Sequence, residues 1–136
     1  MKIKLLVLFC LAISMAATAQ NIGWPNPPYS PVNISFNSSS PQTIVAAPTS
    51  GGVCVYGMTL TNTNASTTTT VSIYQDGGTT AVFTVFLNSA GGTANFPIIA
   101  GNPKNPYFVT NNKTAFVITS SSAVQINGGV YAATCP

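Results

Sequence analysis

The chain contains no histidine, no arginine and no glutamate, and its one acidic side chain is Asp76. Without His, neither a Ser-His-Asp triad nor a Cys-His pair can be built. One carboxylate is too few for paired-carboxylate glycosidase chemistry and for a calcium shell. Ser-Lys catalysis would need Lys104 or Lys113 buried beside a serine. Both sit among Asn and Pro in apparent loops, where a lysine stays solvated. Almost nothing is left to exchange a proton near neutral pH or to stabilise a developing charge. The expectation is a non-enzyme with no cofactor, working by surface and shape.

Lys2 and Lys4 precede an uncharged apolar run, Leu5 to Ile13, followed by Ser14-Met15-Ala16-Ala17-Thr18-Ala19. This is the charged start, short apolar core and small-residue cleavage site of a secretory signal, here residues 1–19. The run is too short for a hydrocarbon core that needs about 20 residues. An uncleaved membrane anchor is the alternative on these residues. A lipid-attachment role for Cys10 fits poorly, because the bulky Phe9 precedes it where small residues are required. Cleavage after Ala19 leaves Gln20 as the new N-terminus of a secreted, extracellular chain with no later membrane span.

Removing 19 of 136 residues leaves 117, the size of a single domain. Two cysteines remain, Cys54 and Cys135. In an exported chain an isolated pair is most simply a disulfide; two free buried thiols or an intermolecular bridge are the alternatives. Two Cys with no His cannot complete a tetrahedral metal shell. Lys104 and Lys113 against Asp76 give this part of the chain a net charge of +1. That lacks the basic face of a nucleic-acid binder. It also leaves little repulsion between copies, so self-association is unopposed.

Residues 20–50 read as an extended leader rich in Pro, Asn and Ser, with Trp24-Pro25-Asn26-Pro27-Pro28-Tyr29-Ser30-Pro31 excluding helix. Within it, Val32-Asn33-Ile34-Ser35-Phe36 and Gln42-Thr43-Ile44-Val45-Ala46 are candidate edge strands. Residues 51–136 show period-2 alternation between glycine turns and no 3.6-residue apolar period. Cys54, Tyr56, Met58 and Leu60 are expected on one face, and Val55, Thr59 and Thr61 on the other. Further strands are expected over Thr67–Ile73, Thr80–Leu87, around Phe96 and Ile98, and over Tyr107–Thr110, Ala115–Thr119 and Val124–Thr134. Thr80–Leu87 is apolar on both faces, as expected of a central strand. Strict alternation separates Val124 and Ile126 from Tyr131 and Cys135, so a bulge is expected at Gly128-Gly129 to bring Cys135 to the buried face. The fold class is all-β: an antiparallel two-sheet sandwich, jelly-roll or Ig-like, of about 7–9 strands.

The low-complexity stretch Leu60 to Val71 reads as a polar hairpin loop, or alternatively as an exposed Thr ladder facing a regular lattice or a neighbouring subunit. Sequons at Asn33, Asn37, Asn64 and Asn112 are possible glycosylation sites only if the host glycosylates. Trp24, Tyr29, Tyr56, Tyr74, Tyr107 and Tyr131 offer rings for a carbohydrate platform, although Tyr56 and Tyr131 are expected on core faces. A binding module would place its function in loops around Asp76, Asn88 and Asn102–Asn105. The leader offers another route. Val32, Ile34 and Phe36 can add as a strand to the next copy, or fold back on their own sheet. Strand addition head to tail builds filaments.

The pieces "MTLTNTNASTTTTVSIYQDGG", "SAGGTANFPI" and "AFVITSSSAVQINGGVY" resemble small β-sandwich proteins of tailed-phage structural modules and short secreted proteins of environmental bacteria. The resemblance implies a non-catalytic virion-surface or cell-surface sandwich and transfers no binding residues. The export signal and the cysteine pair depart from the phage pattern and favour an extracellular cellular protein. The expected function is a structural subunit of an extracellular fibre, pilus-like filament or surface coat, with copies of itself as partners. The alternatives are a monomeric adhesion or carbohydrate-binding module that meets a glycan or cell surface, and a virion decoration protein.

Overall fold

A computed structural model describes residues 30–98 and 105–136. Nine strands form among them: β1 (Ser30–Asn37), β2 (Gln42–Val45), β3 (Gly52–Asn62), β4 (Thr69–Tyr74), β5 (Ala81–Leu87), β6 (Gly92–Phe96), β7 (Phe108–Val109), β8 (Phe116–Ser120) and β9 (Gln125–Cys135). Each is rich in β-branched or aromatic residues that suit a pleated, half-buried surface. They form two antiparallel sheets. The first runs β1-β9-β3-β6, with β7 also on β3; the second runs β2-β8-β4-β5. The protein is an all-β sandwich. Among the described residues no helix is long and apolar enough to cross a membrane.

The chain passes repeatedly from one sheet to the other. Only β4 and β5 are joined as a hairpin within one sheet; β6 and β7 lie end to end along the same side of β3. The low-complexity stretch is therefore not a hairpin loop, because it carries the chain from β3 across to β4. Buried Asn62 orders it: Nδ2 donates to the Thr67 carbonyl at 2.7 Å, and Oδ1 accepts from the Asn64 N–H at 3.0 Å. Asn64 Oδ1 then accepts from the N–H groups of Ser66 and Thr67, an Asx-type turn.

Between the sheets, Ile34, Met58, Leu60, Ile126 and Val130 meet Val71, Ile73, Leu87, Phe116 and Ile118, all buried. Burying a side chain of this size contributes about 1.5–3 kcal/mol. Most polar groups inside are paired, the Thr119 hydroxyl being the exception among the described residues. The Thr69 and Ser120 hydroxyls lie 2.6 Å apart, and Thr110 Oγ1 accepts the Val53 N–H at 2.8 Å while donating to the Thr114 carbonyl.

Three expectations are corrected. β9 keeps strict alternation, with Ile126, Val130 and Ala132 buried, and has no bulge at Gly128-Gly129. Glycine is needed there for close approach: a Cβ on Gly128 would lie 1.8 Å from the Thr59 carbonyl oxygen. The bulge falls instead in β3, between Val55 and Gly57. It reverses the facing of that strand, so Val53, Val55, Met58 and Leu60 point inward while Cys54, Thr59 and Thr61 point outward. Tyr131 accordingly lies on the outer face, not in the core. Finally, β5 is an edge strand rather than a central one, because it pairs with β4 and no other strand among the described residues lies beyond it.

Candidate interaction surfaces

Cys54 and Cys135 form a disulfide with Cα atoms 5.8 Å apart. It lies on the outer face of the first sheet, opposite the core residues Val53 and Val55, and ties β3 to the end of β9. Both strands taken from the leader are edge strands, one in each sheet. Val32, Ile34 and Phe36 belong to β1, which pairs with β9 of its own chain from Ser30↔Ala132 to Asn37↔Gln125. Ile34 and Phe36 are part of the shared core. Residues 30–50 are thus part of the sandwich.

Of the candidate loops, Asp76 lies in the β4–β5 hairpin and Asn88 follows β5 at the strand's opposite end. They cannot share one site. Residues 99–104, including Asn102 and Lys104, fall outside the described residues, as do Trp24 and Tyr29. The Asp76 carboxylate accepts from the N–H groups of Gly78, Thr79 and Thr80 and from the Thr79 hydroxyl. These bonds, the Thr79 hydroxyl foremost, hold its carboxyl well below the ordinary range. Such a carboxylate staples a turn. No cluster of three or more metal-ligating side chains occurs among the described residues.

Of the sequons, Asn33 and Asn37 lie exposed on β1 and Asn112 is exposed between β7 and β8. Asn64 is half-buried and engaged in its turn.

Two surfaces stand out. The first is an aromatic seam where β5 meets β6 and β7. Phe83 packs on Phe96 and Phe108 with ring centres 5.7 and 5.8 Å apart, and Phe96 contacts Tyr107 at 5.6 Å. Tyr107 links the end of β6 to β3: its hydroxyl donates to the Pro97 carbonyl at 2.8 Å, and its N–H to the Val55 carbonyl at 2.7 Å. The seam is open to solvent. Phe83 is 43 % exposed, and on the outer face of β5 Val82 is 42 % and Phe86 61 % exposed. The sequence signal is present in the two apolar faces of β5, which suit a buried central strand equally well.

The second surface is the outer face of the first sheet, an uncharged array of amides and hydroxyls. Thr59 Oγ1 donates to Asn95 Oδ1 at 3.0 Å, the Thr61 and Thr93 hydroxyls lie 3.0 Å apart, and Gln125 and Ser35 both donate to Asn127 Oδ1. Tyr131, 40 % exposed, stands on the same face. The longest Thr run, residues 67–70, contributes nothing to this array; its members come from β1, β3, β6 and β9, four strands that sequence adjacency does not bring together. A groove of about 360 Å³ at the other side, lined by Val32, Val45, Ala46, Pro48 and Val53 among others, carries no charged group.

No family model, curated protein or solved structure matches this chain. The fold defines its class as a two-sheet β-sandwich closed by a disulfide, and its function must be argued from these surfaces.

Proposed function

We infer that the protein is an exported, non-catalytic structural subunit of an extracellular assembly, such as a fibre, a pilus-like filament or a surface coat. The observation that carries this reading is β5: an apolar strand on a sheet edge, with Phe86 61 % exposed and no charged residue along it. An edge of this kind templates pairing with another strand unless it is protected. The near-zero net charge adds no repulsion between copies. Extracellular placement is supported by the signal-like N-terminus and the Cys54–Cys135 bridge, which persists in oxidising surroundings. Assembly by donating β1 to the next copy has a cost, since buried Ile34 and Phe36 would have to leave their own core.

A second reading is favoured by Tyr131 beside the amide and hydroxyl array. A ring flanked by donors and acceptors is what a carbohydrate-binding surface needs, and a monomeric adhesion module would use it. Negative-stain microscopy with light scattering on the exported protein, purified under oxidising conditions, separates the two. Regular filaments, sheets or large particles support the structural subunit. A monomer at all concentrations overturns it, and glycan binding abolished by Tyr131→Ala would then establish the module.

A further inference from the structure

We propose that β5 pairs antiparallel with β5 of a second copy, about a two-fold axis at Val85, merging their four-stranded sheets into one. This rests on the assembly reading above and names its contact.

Among the described residues four strand edges are open in the sandwich: β1 and the β6–β7 line in the first sheet, β2 and β5 in the second. Three are blunted. β1 includes Pro31, which has no N–H to donate, and shows solvent the polar Asn33, Ser35 and Asn37. β2 has four residues and a register break between Thr43 and Val45. The β6–β7 line consists of two separate short runs, of five and two residues. β5 has seven residues, no proline and no charge. Its own register break lies at its start, where Val82 is skipped between Ala81↔Tyr74 and Phe83↔Ile73. Beyond it, Phe83 to Leu87 runs regularly.

The occupant follows from what this edge offers. Unpaired main-chain N–H and C=O groups call for another strand, which a lipid or a small apolar ligand cannot supply. The regular run is self-complementary about its centre. Val85 meets its own counterpart, Thr84 meets Phe86 of the other copy, and Phe83 meets Leu87. Aromatic and β-branched partners across a pair favour pairing, and no like charges oppose it. The outer face of β5 is apolar at Val82 and Phe86, whereas on the other edge strands the one exposed large apolar side chain is Val109 of the two-residue β7. A two-fold contact of this kind closes on itself, so it yields a dimer as the building block. Growth beyond the dimer must use other faces, of which the amide and hydroxyl array is the broadest.

The test places charges on the exposed outer face of β5, where Thr84 and Phe86 leave the core untouched. In T84K/F86K the two-fold axis sets lysine against lysine twice. In T84K/F86D it sets lysine against aspartate twice. T43K/S39K, on the far side of the sandwich, controls for net charge. Light scattering over a concentration series is expected to show the wild type and T43K/S39K as dimers or multiples of dimers. T84K/F86K should weaken association by at least about tenfold, and T84K/F86D should restore it. Circular dichroism confirms that each variant is folded. Large assemblies left intact by T84K/F86K would overturn the β5 contact and leave the structural-subunit reading standing. A dimer that never grows further supports the β5 contact and counts against that reading. Loss of association in T84K/F86D equal to that in T84K/F86K would overturn the Val85 register.

Discussion

Cys54 and Cys135 are 81 residues apart in sequence and joined across the β3–β9 pair, on the outer face of the first sheet. The bridge closes most of the sandwich into one loop. On the chain-entropy model a closure of this length stabilises by about 4–5 kcal/mol, and removing such a bridge from a small exported domain costs about 2–5 kcal/mol. Reduction, or C54S/C135S, should therefore lower the guanidinium midpoint with little change in near-native secondary structure. A midpoint insensitive to reductant would show that the core alone sustains the fold.

Gly128 and Gly91 separate two reasons for glycine. At Gly128 a Cβ meets the Thr59 carbonyl at 1.8 Å, and that atom is backbone in the neighbouring strand. Gly128→Ala must push β3 and β9 apart and is expected to cost at least about 2 kcal/mol. Gly91 has a φ of +95° and nothing within 4 Å of an added Cβ. Gly91→Ala should cost only backbone strain, about 1–2 kcal/mol. Urea denaturation of both variants checks the order; equal effects would place the Gly128 penalty in conformation rather than contact.

The difference at Gly128 also shows where the sequence stops being legible. Alternating apolar residues and glycine turns locate all nine strands, because period-2 patterning is a local property. A glycine inside a strand, however, marks either a bulge or a close backbone approach. Gly128 is the second and Gly57, at the bulge beside Tyr56, the first, and the sequence alone does not say which glycine plays which part. The facing of Cys54, Tyr131 and Cys135 turns on that choice. Likewise, apolar residues on both faces of Ala81–Leu87 suit a strand buried on both sides and an uncovered edge alike. Only the strand order separates them. The disulfide was readable because two cysteines remain beyond residue 19 and they have few alternative fates. Asp76 and Asn88 do not converge, because the whole length of β5 lies between them.

Asp76 sets the acid response of the fold. Its hydrogen bonds depress the carboxyl below its unfolded value of about 3.9. A depressed folded value means that the contribution is fully present above the unfolded value. It is lost progressively as pH falls below that value toward the folded one. No other side-chain carboxylate and no histidine exists to titrate in this range. The thermal midpoint should therefore be nearly flat from pH 7 to about 4 and decline below it. Asp76→Asn keeps an acceptor oxygen at the turn, and its profile should lose most of that decline. An unchanged acid limb in the variant would assign the effect to the chain termini.

Asn62 is the buried polar side chain on which the β3–β4 crossing depends. It is fully buried, and its amide bonds both the Thr67 carbonyl and the Asn64 N–H. The crossing is further tied down by hydrogen bonds from the Gly91 N–H to the Asn62 carbonyl and from the Ala90 N–H to the Asn64 carbonyl. Asn62→Ala strands a donor and an acceptor with no side chain to meet them. Leaving such groups unsatisfied costs about 1–3 kcal/mol. Because the lost bonds are local, the damage should appear first as faster amide exchange at Asn64, Ser66 and Thr67, ahead of any change in the β3–β9 pair. Asn62→Asp tests the two halves separately: it keeps the acceptor for the Asn64 N–H but places a carboxylate against the Thr67 carbonyl. It should be at least as destabilising as alanine at pH 7 and recover part of that loss in acid, where the protonated carboxyl can donate. If Asn62→Asp matches the wild type at pH 7, the contact to Thr67 contributes nothing to the crossing.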